Sequence, residues 1–109
     1  MKTIPEIILD QLGGNRFLVM TGANHLVADG STLRMQLPKN ISGANRLYIT
    51  LNGNDLYTMR FFKYTAPRLN TKTFEFSKEK IKEIEIIDDV FCDMLQDIFT
   101  RITGMYTHL

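Results

Sequence analysis

The chain has 109 residues, of which 44% are hydrophobic and 23% are charged, and its formal net charge is +1. A chain of this length and composition forms one compact core, so the sequence predicts a single domain over residues 1–109 and excludes low-complexity disorder. No apolar run approaches the roughly 20 residues that span a bilayer, so no membrane partner is expected.

The first predicted element is a short helix over residues 3–12. Thr3 suits the N-cap, Pro5 is tolerated in the first turn, and Glu6 completes a capping box. An apolar stripe recurs at helical spacing at Ile4, Ile8 and Leu12. Gly13-Gly14 is expected to end the helix, because glycine readily adopts the left-handed conformation.

Three short strands are predicted between residues 15 and 38. Residues 16–21 are rich in strand-forming side chains, and residues 25–28 form a second strand that the hairpin signal Asp29-Gly30 closes. In the third strand, buried and solvated positions alternate. The expected buried positions are Leu33, Met35 and Leu37, and the solvated ones are Thr32, Arg34 and Gln36.

The strongest strand signal is a hairpin over residues 46–62 around Asn52-Gly53-Asn54. Its two apolar sets are Leu47, Ile49 and Leu51 on one strand and Tyr57, Met59 and Phe61 on the other. Only a loop with an odd number of residues places both sets on one face of the sheet. The sequence therefore predicts a three- or five-residue turn, with Gly53 or Asn54 at positive φ.

The second half of the chain begins with a surface connection and a short strand over residues 73–76. Residues 81–87 fit either a strand or a helix, and their isoleucine content favours the strand. A helix is predicted over residues 88–103, with aspartates at its N-terminus and Gly104 after its end. Its expected buried stripe is Phe91, Met94, Leu95, Ile98, Phe99 and Ile102.

These elements predict an α+β fold. One-sided strands need cover for their apolar face. We therefore expect a mainly antiparallel sheet of four to six strands, with the short N-terminal helix and the longer C-terminal helix packed on one face.

The near-neutral net charge conceals a separation of charge along the chain. Residues 60–82 carry a net charge of +5, and residues 83–109 carry a net charge of −5. In the predicted last helix, Asp89, Asp93 and Asp97 recur every four residues and share one face. This acidic helix face is a candidate surface for a basic protein partner, and the alternative is an ordinary solvated helix face.

The basic segment is a second candidate surface. Arg60, Lys63, Arg68 and Lys72 alternate with aromatic residues, a pattern that can hold a nucleic-acid backbone and stack its bases. The alternative is ordinary strand packing, in which the basic side chains extend their charged ends into solvent.

No catalytic centre, metal site or cofactor is expected from the sequence. His25 and His108 have no metal-ligand spacing with Cys92, and neighbouring aspartates disfavour a reactive Cys92 thiolate. A lone cysteine and the lack of a signal-peptide pattern favour a cytoplasmic location. We therefore expect a binding protein and not an enzyme.

Several motifs give the chain a resemblance to known proteins. They are Leu12-Gly13-Gly14-Asn15-Arg16-Phe17, Met20-Thr21-Gly22-Ala23, Leu37-Pro38-Lys39-Asn40, Ile49-Thr50-Leu51-Asn52, Asp55-Leu56-Tyr57 and Thr103-Gly104-Met105-Tyr106-Thr107. On these motifs the chain resembles small uncharacterised proteins of bacteriophages and bacterial mobile elements. Because the motifs carry no known chemistry, the resemblance transfers no site residue.

The resemblance implies a mobile-element origin and the cytoplasm of a bacterial host. The expected function is a non-enzymatic binding module that acts on a host or phage protein, in its sharper form an inhibitor of host defence that uses the acidic helix face. The alternative is a nucleic-acid-binding accessory protein that uses residues 60–82. The sequence leaves the oligomeric state and the strand order open.

Overall fold

The computed structural model describes residues 3–105. Their helices are α1 (Ile4–Leu12), α2 (Asn15–Thr21) and α3 (Leu95–Thr103), and a 3₁₀ turn (Cys92–Met94) leads into α3. Their strands are β1 (Asn24–Asp29), β2 (Thr32–Gln36), β3 (Arg46–Leu51), β4 (Tyr57–Thr65), β5 (Leu69–Asn70), β6 (Glu75–Phe76) and β7 (Lys80–Val90).

The strands form a five-stranded antiparallel sheet in the order β1-β2-β3-β4-β7 and a separate β5-β6 pair. The N-terminal and C-terminal helices pack on one face of the large sheet, and the predicted α+β fold is confirmed. Within residues 3–105, no helix is long and apolar enough to cross a bilayer.

The core lies between the helices and this face of the sheet. Phe17 of α2 meets Phe99 of α3 edge to face, with ring centroids 5.0 Å apart, and Phe99 also lies 6.5 Å from Phe61 of β4. All three rings are fully buried, so they join both helices to the middle of the sheet.

The N-terminal helix is confirmed, but the strand predicted for residues 16–21 is wrong. The Thr3 hydroxyl accepts a hydrogen bond from the Glu6 amide at the start of α1, as expected. Residues 16–21 instead belong to α2, where Phe17 and Thr21 are buried four positions apart on one side. Burial of this helical face outweighs the strand propensity of the segment, because propensity is weaker than tertiary packing.

The β3–β4 hairpin has the predicted register. Leu47, Ile49 and Leu51 pair with Phe61, Met59 and Tyr57, which leaves a five-residue loop. The positive φ falls on Asp55 (58°), so its prediction at Gly53 or Asn54 is wrong. The Asn52 side chain closes the loop by accepting hydrogen bonds from the amides of Asn54 (3.0 Å) and Leu56 (3.3 Å), and this moves the left-handed residue to position 55.

The strand favoured over residues 81–87 is confirmed, and β7 continues to Val90. The helix predicted from residue 88 is therefore wrong at its start. Val90 is buried and pairs with Tyr57, and Asp89 occupies an irregularity in the register at φ 57°. Pairing with β4 satisfies the backbone of this segment in the sheet, so the 3₁₀ turn begins only at Cys92. Phe91 and Met94, predicted to be buried, are exposed.

Candidate nucleic-acid interface

The face of the sheet opposite the helices, here called the outer face, carries arginine and aromatic side chains in cross-strand rows. Arg34 pairs with Tyr48, which pairs with Arg60. In the next row, Arg46 pairs with Phe62. Because directly opposed residues share a face, the register of β2, β3 and β4 brings these side chains together.

The arginines of the outer face stack on its rings. The guanidinium carbon of Arg34 lies 5.0 Å from the centroid of Tyr48, and that of Arg60 lies 4.3 Å from the centroid of Phe62. Arg46 lies 5.3 Å from the centroid of Tyr64. Such cation–π contacts hold the guanidinium groups over the ring faces, where they can still donate hydrogen bonds.

Two of the three arginines have a carboxylate partner. Arg34 pairs with Asp29, and Arg60 pairs with Glu83, whose two oxygens lie 2.9 and 3.0 Å from the Arg60 Nε. The hydrogen bond to Glu83 raises the pKa of Arg60, and the same bond lowers the pKa of the Glu83 carboxyl. These pairs neutralise two of the positive charges of the outer face.

Arg46 differs from the other two arginines. Within residues 3–105 it forms no ion pair, and its guanidinium donates to the backbone carbonyl of Asn45 at 3.2 Å. Beside it, the Tyr64 hydroxyl donates to Glu79 at 3.0 Å, and this bond raises the pKa of Tyr64. Arg46 therefore has donors available to an anionic ligand.

Two hollows lie side by side on the outer face and share Arg46 and Tyr48 as their common wall. The first, of about 290 Å³, is bordered by His25, Val27 and Arg34. The second, of about 300 Å³, is bordered by Arg60, Phe62, Tyr64, Glu79 and Ile81. Each hollow thus combines a guanidinium with a ring or an apolar side chain, which is the chemistry that receives a planar base.

The second hollow adjoins an exposed extension of the sheet, here called the basic arm (residues 63–82). It consists of the end of β4, the β5–β6 pair and the start of β7, and Lys63 and every residue from 65 to 82 are exposed. It holds six basic and two acidic residues. The described chain measures 50 × 31 × 24 Å.

The four basic residues singled out from the sequence occupy three different places. Arg60 lies on the outer face, over Phe62. Lys63 borders a separate hollow with Leu37 and Lys39. Arg68 and Lys72 lie on the basic arm, where the Arg68 amide donates to the Ser77 hydroxyl and the Lys72 amide to the Asn70 side chain. The structure therefore brings only Arg60 to the arginine–aromatic rows.

The three acidic residues singled out from the sequence do not share one helix. Asp89 is the next-to-last residue of β7, Asp93 lies in the 3₁₀ turn, and Asp97 lies in α3. All three are exposed, close along the chain to the exposed Phe91 and Met94. We call these five residues the acidic end.

Sequence reasoning missed Arg46 and Tyr48, and it treated Arg34 only as a solvated position of its strand. The signal was present, because all three alternate with the buried residues of β2 and β3. What was missing was the strand order, which sets these residues beside Arg60.

Other chemistry is sparse in the described part of the chain. No group of three or more histidine, cysteine or acidic side chains is placed to hold a metal ion within residues 3–105. Cys92 is an exposed thiol. His108 lies outside the described residues.

No protein-family model, curated protein or solved structure matches the chain.

Proposed function

We propose that the protein binds single-stranded nucleic acid across the outer face and along the basic arm. The observation that carries this proposal is Arg46, which stacks on Tyr64 between two hollows and lacks a carboxylate partner within residues 3–105. In this function the guanidinium of Arg46 contacts a phosphate, and the flanking hollows receive the neighbouring bases.

The shape of the outer face favours a single strand over a duplex. The hollows flank β3, and because adjacent strands are about 4.8 Å apart, the hollows lie about 10 Å apart. Unpaired bases can enter such hollows and stack on rings or guanidinium planes, whereas paired bases in a duplex present no free face. The lysines of the basic arm then extend the contact with the backbone beyond Arg46.

The direct test is titration of a labelled single-stranded oligonucleotide, and of the duplex of the same sequence, at several salt concentrations. We expect tighter binding of the single strand and an affinity that falls steeply with salt. Arg46→Ala should weaken binding and lower the slope of log affinity against log salt by about 1, as expected for one lost phosphate contact.

The matched control is Arg16→Ala, which removes an exposed arginine from α2, away from the outer face. This variant should bind as the wild type does. Absence of binding at low salt, or equal losses in the two variants, would contradict the proposal.

A second candidate function is supported by the composition of the acidic end. Phe91 and Met94 are exposed beside Asp93, so this surface offers apolar contact together with negative charge. Both suit a basic and partly apolar protein partner. Charge reversal at Asp89, Asp93 and Asp97 should abolish partner capture and leave thermal unfolding nearly unchanged, whereas retained capture would contradict this function.

The resemblance adds a proposal about biological setting. A mobile-element origin would place the partner, protein or nucleic acid, in a bacterial host, and the sharper form of the second function is inhibition of host defence. Affinity capture from a bacterial host, followed by mass spectrometry, tests that setting by naming the partner.

A further inference from the structure

The basic arm and the acidic end lie at opposite ends of β7. The 11 residues of this strand pair with nine residues of β4, so Lys80 at its start lies about 27 Å from Val90 at its end. The basic arm carries a net charge of +4, and the acidic end, through Asp89, Asp93 and Asp97, carries a net charge of −3. The two oppositely charged surfaces of one chain are therefore held apart by the sheet.

Both surfaces also expose apolar side chains. On the basic arm, Phe74 is 79% exposed and Phe76 is 71% exposed, and Phe76 borders a hollow of about 370 Å³ at the tip. At the acidic end, Phe91 is 58% exposed and Met94 is 39% exposed. Exposed aromatic residues surrounded by charge are typical of surfaces that become buried on association.

We infer that copies of this chain associate head to tail, with the basic arm of one copy on the acidic end of the next. The charges are opposite in sign, and each surface has apolar side chains to bury against the other. The length of β7 prevents the same contact within one chain. A second copy is the partner for which the structure itself supplies a complementary surface.

If each copy placed its basic arm on the acidic end of the other, the pair would close as a two-fold dimer. In the head-to-tail arrangement inferred here, one copy keeps a free basic arm and the other a free acidic end, so association continues into a chain or a ring. The inference names the partner of the acidic end and so rests on the second candidate function. The basic arm also takes part in the proposed nucleic-acid binding, so the two contacts share that surface.

The first measurement is sedimentation velocity of the full chain over a range of concentrations at low and high salt. We expect species that grow beyond a dimer with concentration and that dissociate at high salt, because the attraction is between exposed charges. A wild-type protein that remains monomeric at low salt, or that stops at a dimer, would overturn the inference.

Paired charge reversals test which surfaces meet. Arg68→Glu with Lys72→Glu lowers the net charge of the basic arm from +4 to 0, and Asp93→Lys with Asp97→Lys changes that of the acidic end from −3 to +1. Each double variant alone should be monomeric, because neither keeps the attraction between its two ends. An equimolar mixture should form a dimer, since the unchanged acidic end of the first variant then meets the unchanged basic arm of the second. Arg16→Glu, a reversal on α2, is the control and should associate as the wild type does.

The contribution of apolar contact to association is tested by comparing Phe91→Ser with Val19→Ser. The second is a matched change at a residue of α2 that is 83% exposed. Phe91→Ser should abolish association, and Val19→Ser should not. Thermal unfolding of every variant shows whether it is folded.

If the reversed variants still associate alone, or the mixture stays monomeric, head-to-tail association is wrong. Should the acidic end then still capture another protein, the second candidate function survives without this inference.

Discussion

The carboxylate of Glu83 joins two strands at the base of the basic arm. It accepts hydrogen bonds from Arg60 across the β4–β7 pair, and these bonds lower its pKa. A carboxyl whose pKa is lower in the folded than in the unfolded chain stabilises the fold above its unfolded pKa. That stabilisation is lost as the pH falls through the folded pKa.

Glu83→Gln should therefore destabilise the protein slightly at neutral pH. Because both partners of the ion pair are partly exposed, the effect is small. The difference in urea midpoint between the variant and the wild type should shrink as the pH falls below the ordinary pKa of a glutamate, and it should vanish below the lowered pKa of Glu83 in the folded chain. Glu85→Gln, at a neighbouring exposed residue, is the control, and a difference that persisted in acid would contradict this account of the pair.

The exposure of Phe91 and Met94 could not be predicted from their positions in the sequence. Both fit an apolar stripe at helical spacing with Leu95, Ile98 and Phe99, and only the latter three are buried. The prediction of this stripe assumed that the helix begins at residue 88. Once pairing with β4 carries the strand to Val90, the residues before Leu95 no longer share its helical face.

Among the secondary-structure elements, α2, α3 and β4 depend on one another through Phe99. Its ring contacts those of Phe17 and Phe61, and it has no exposed surface. Phe99→Ala should lower the free energy of unfolding by about 3–5 kcal/mol, the range for large-to-small substitutions in a packed core. Chemical denaturation gives this value directly.

Phe76→Ala is the matched control for Phe99→Ala, because it removes the same side chain from the exposed basic arm. It should change the free energy of unfolding by no more than about 0.5 kcal/mol. Equal effects of the two substitutions would mean that the basic arm is part of the cooperative fold, contrary to its exposure.

The elements that could be predicted from the sequence are those whose apolar pattern admits one arrangement. The register of β3 and β4 followed from Ile49 and Met59 needing the same face, whatever the sheet order. Residues 16–21 carried no such constraint, because strand propensity and the helical spacing of Phe17 and Thr21 pointed to different structures. Packing of Phe17 and Thr21 into the core favours the helix over the strand, so this segment forms α2.

The candidate site depends on the arrangement of the whole sheet, so little of it could be predicted from the sequence. Arg34, Arg46 and Arg60 come from three strands, and only the order β2-β3-β4 sets them in adjacent rows. The charge separation could be counted along the chain. Its placement at the two ends of β7 could not, because it required that residues 81–90 form one strand.

Nucleic-acid binding and head-to-tail association together predict how the protein binds long single strands. Both use the basic arm, so in an assembly on one long strand the arm of each copy lies on the acidic end of the next, and the strand contacts the outer face. Copies held together in this way stabilise one another on the strand, so binding to a long strand should be cooperative. Phe91→Ser leaves the outer face and the basic arm intact and removes only the proposed contact between copies. The variant should match the wild type on a short oligonucleotide that holds one copy, and its Hill coefficient on a long strand should fall to about 1.

Fluorescence titration with both lengths of strand makes this comparison, with Val19→Ser as the control. Serine at position 91 should not harm the fold, because Phe91 is the N-cap of the 3₁₀ turn and serine suits such positions. If Phe91→Ser binds the long strand as cooperatively as the wild type, the copies interact through some other surface. If it also loses affinity for the short oligonucleotide, the acidic end takes part in nucleic-acid binding itself, and the assignment of that site to the outer face is wrong.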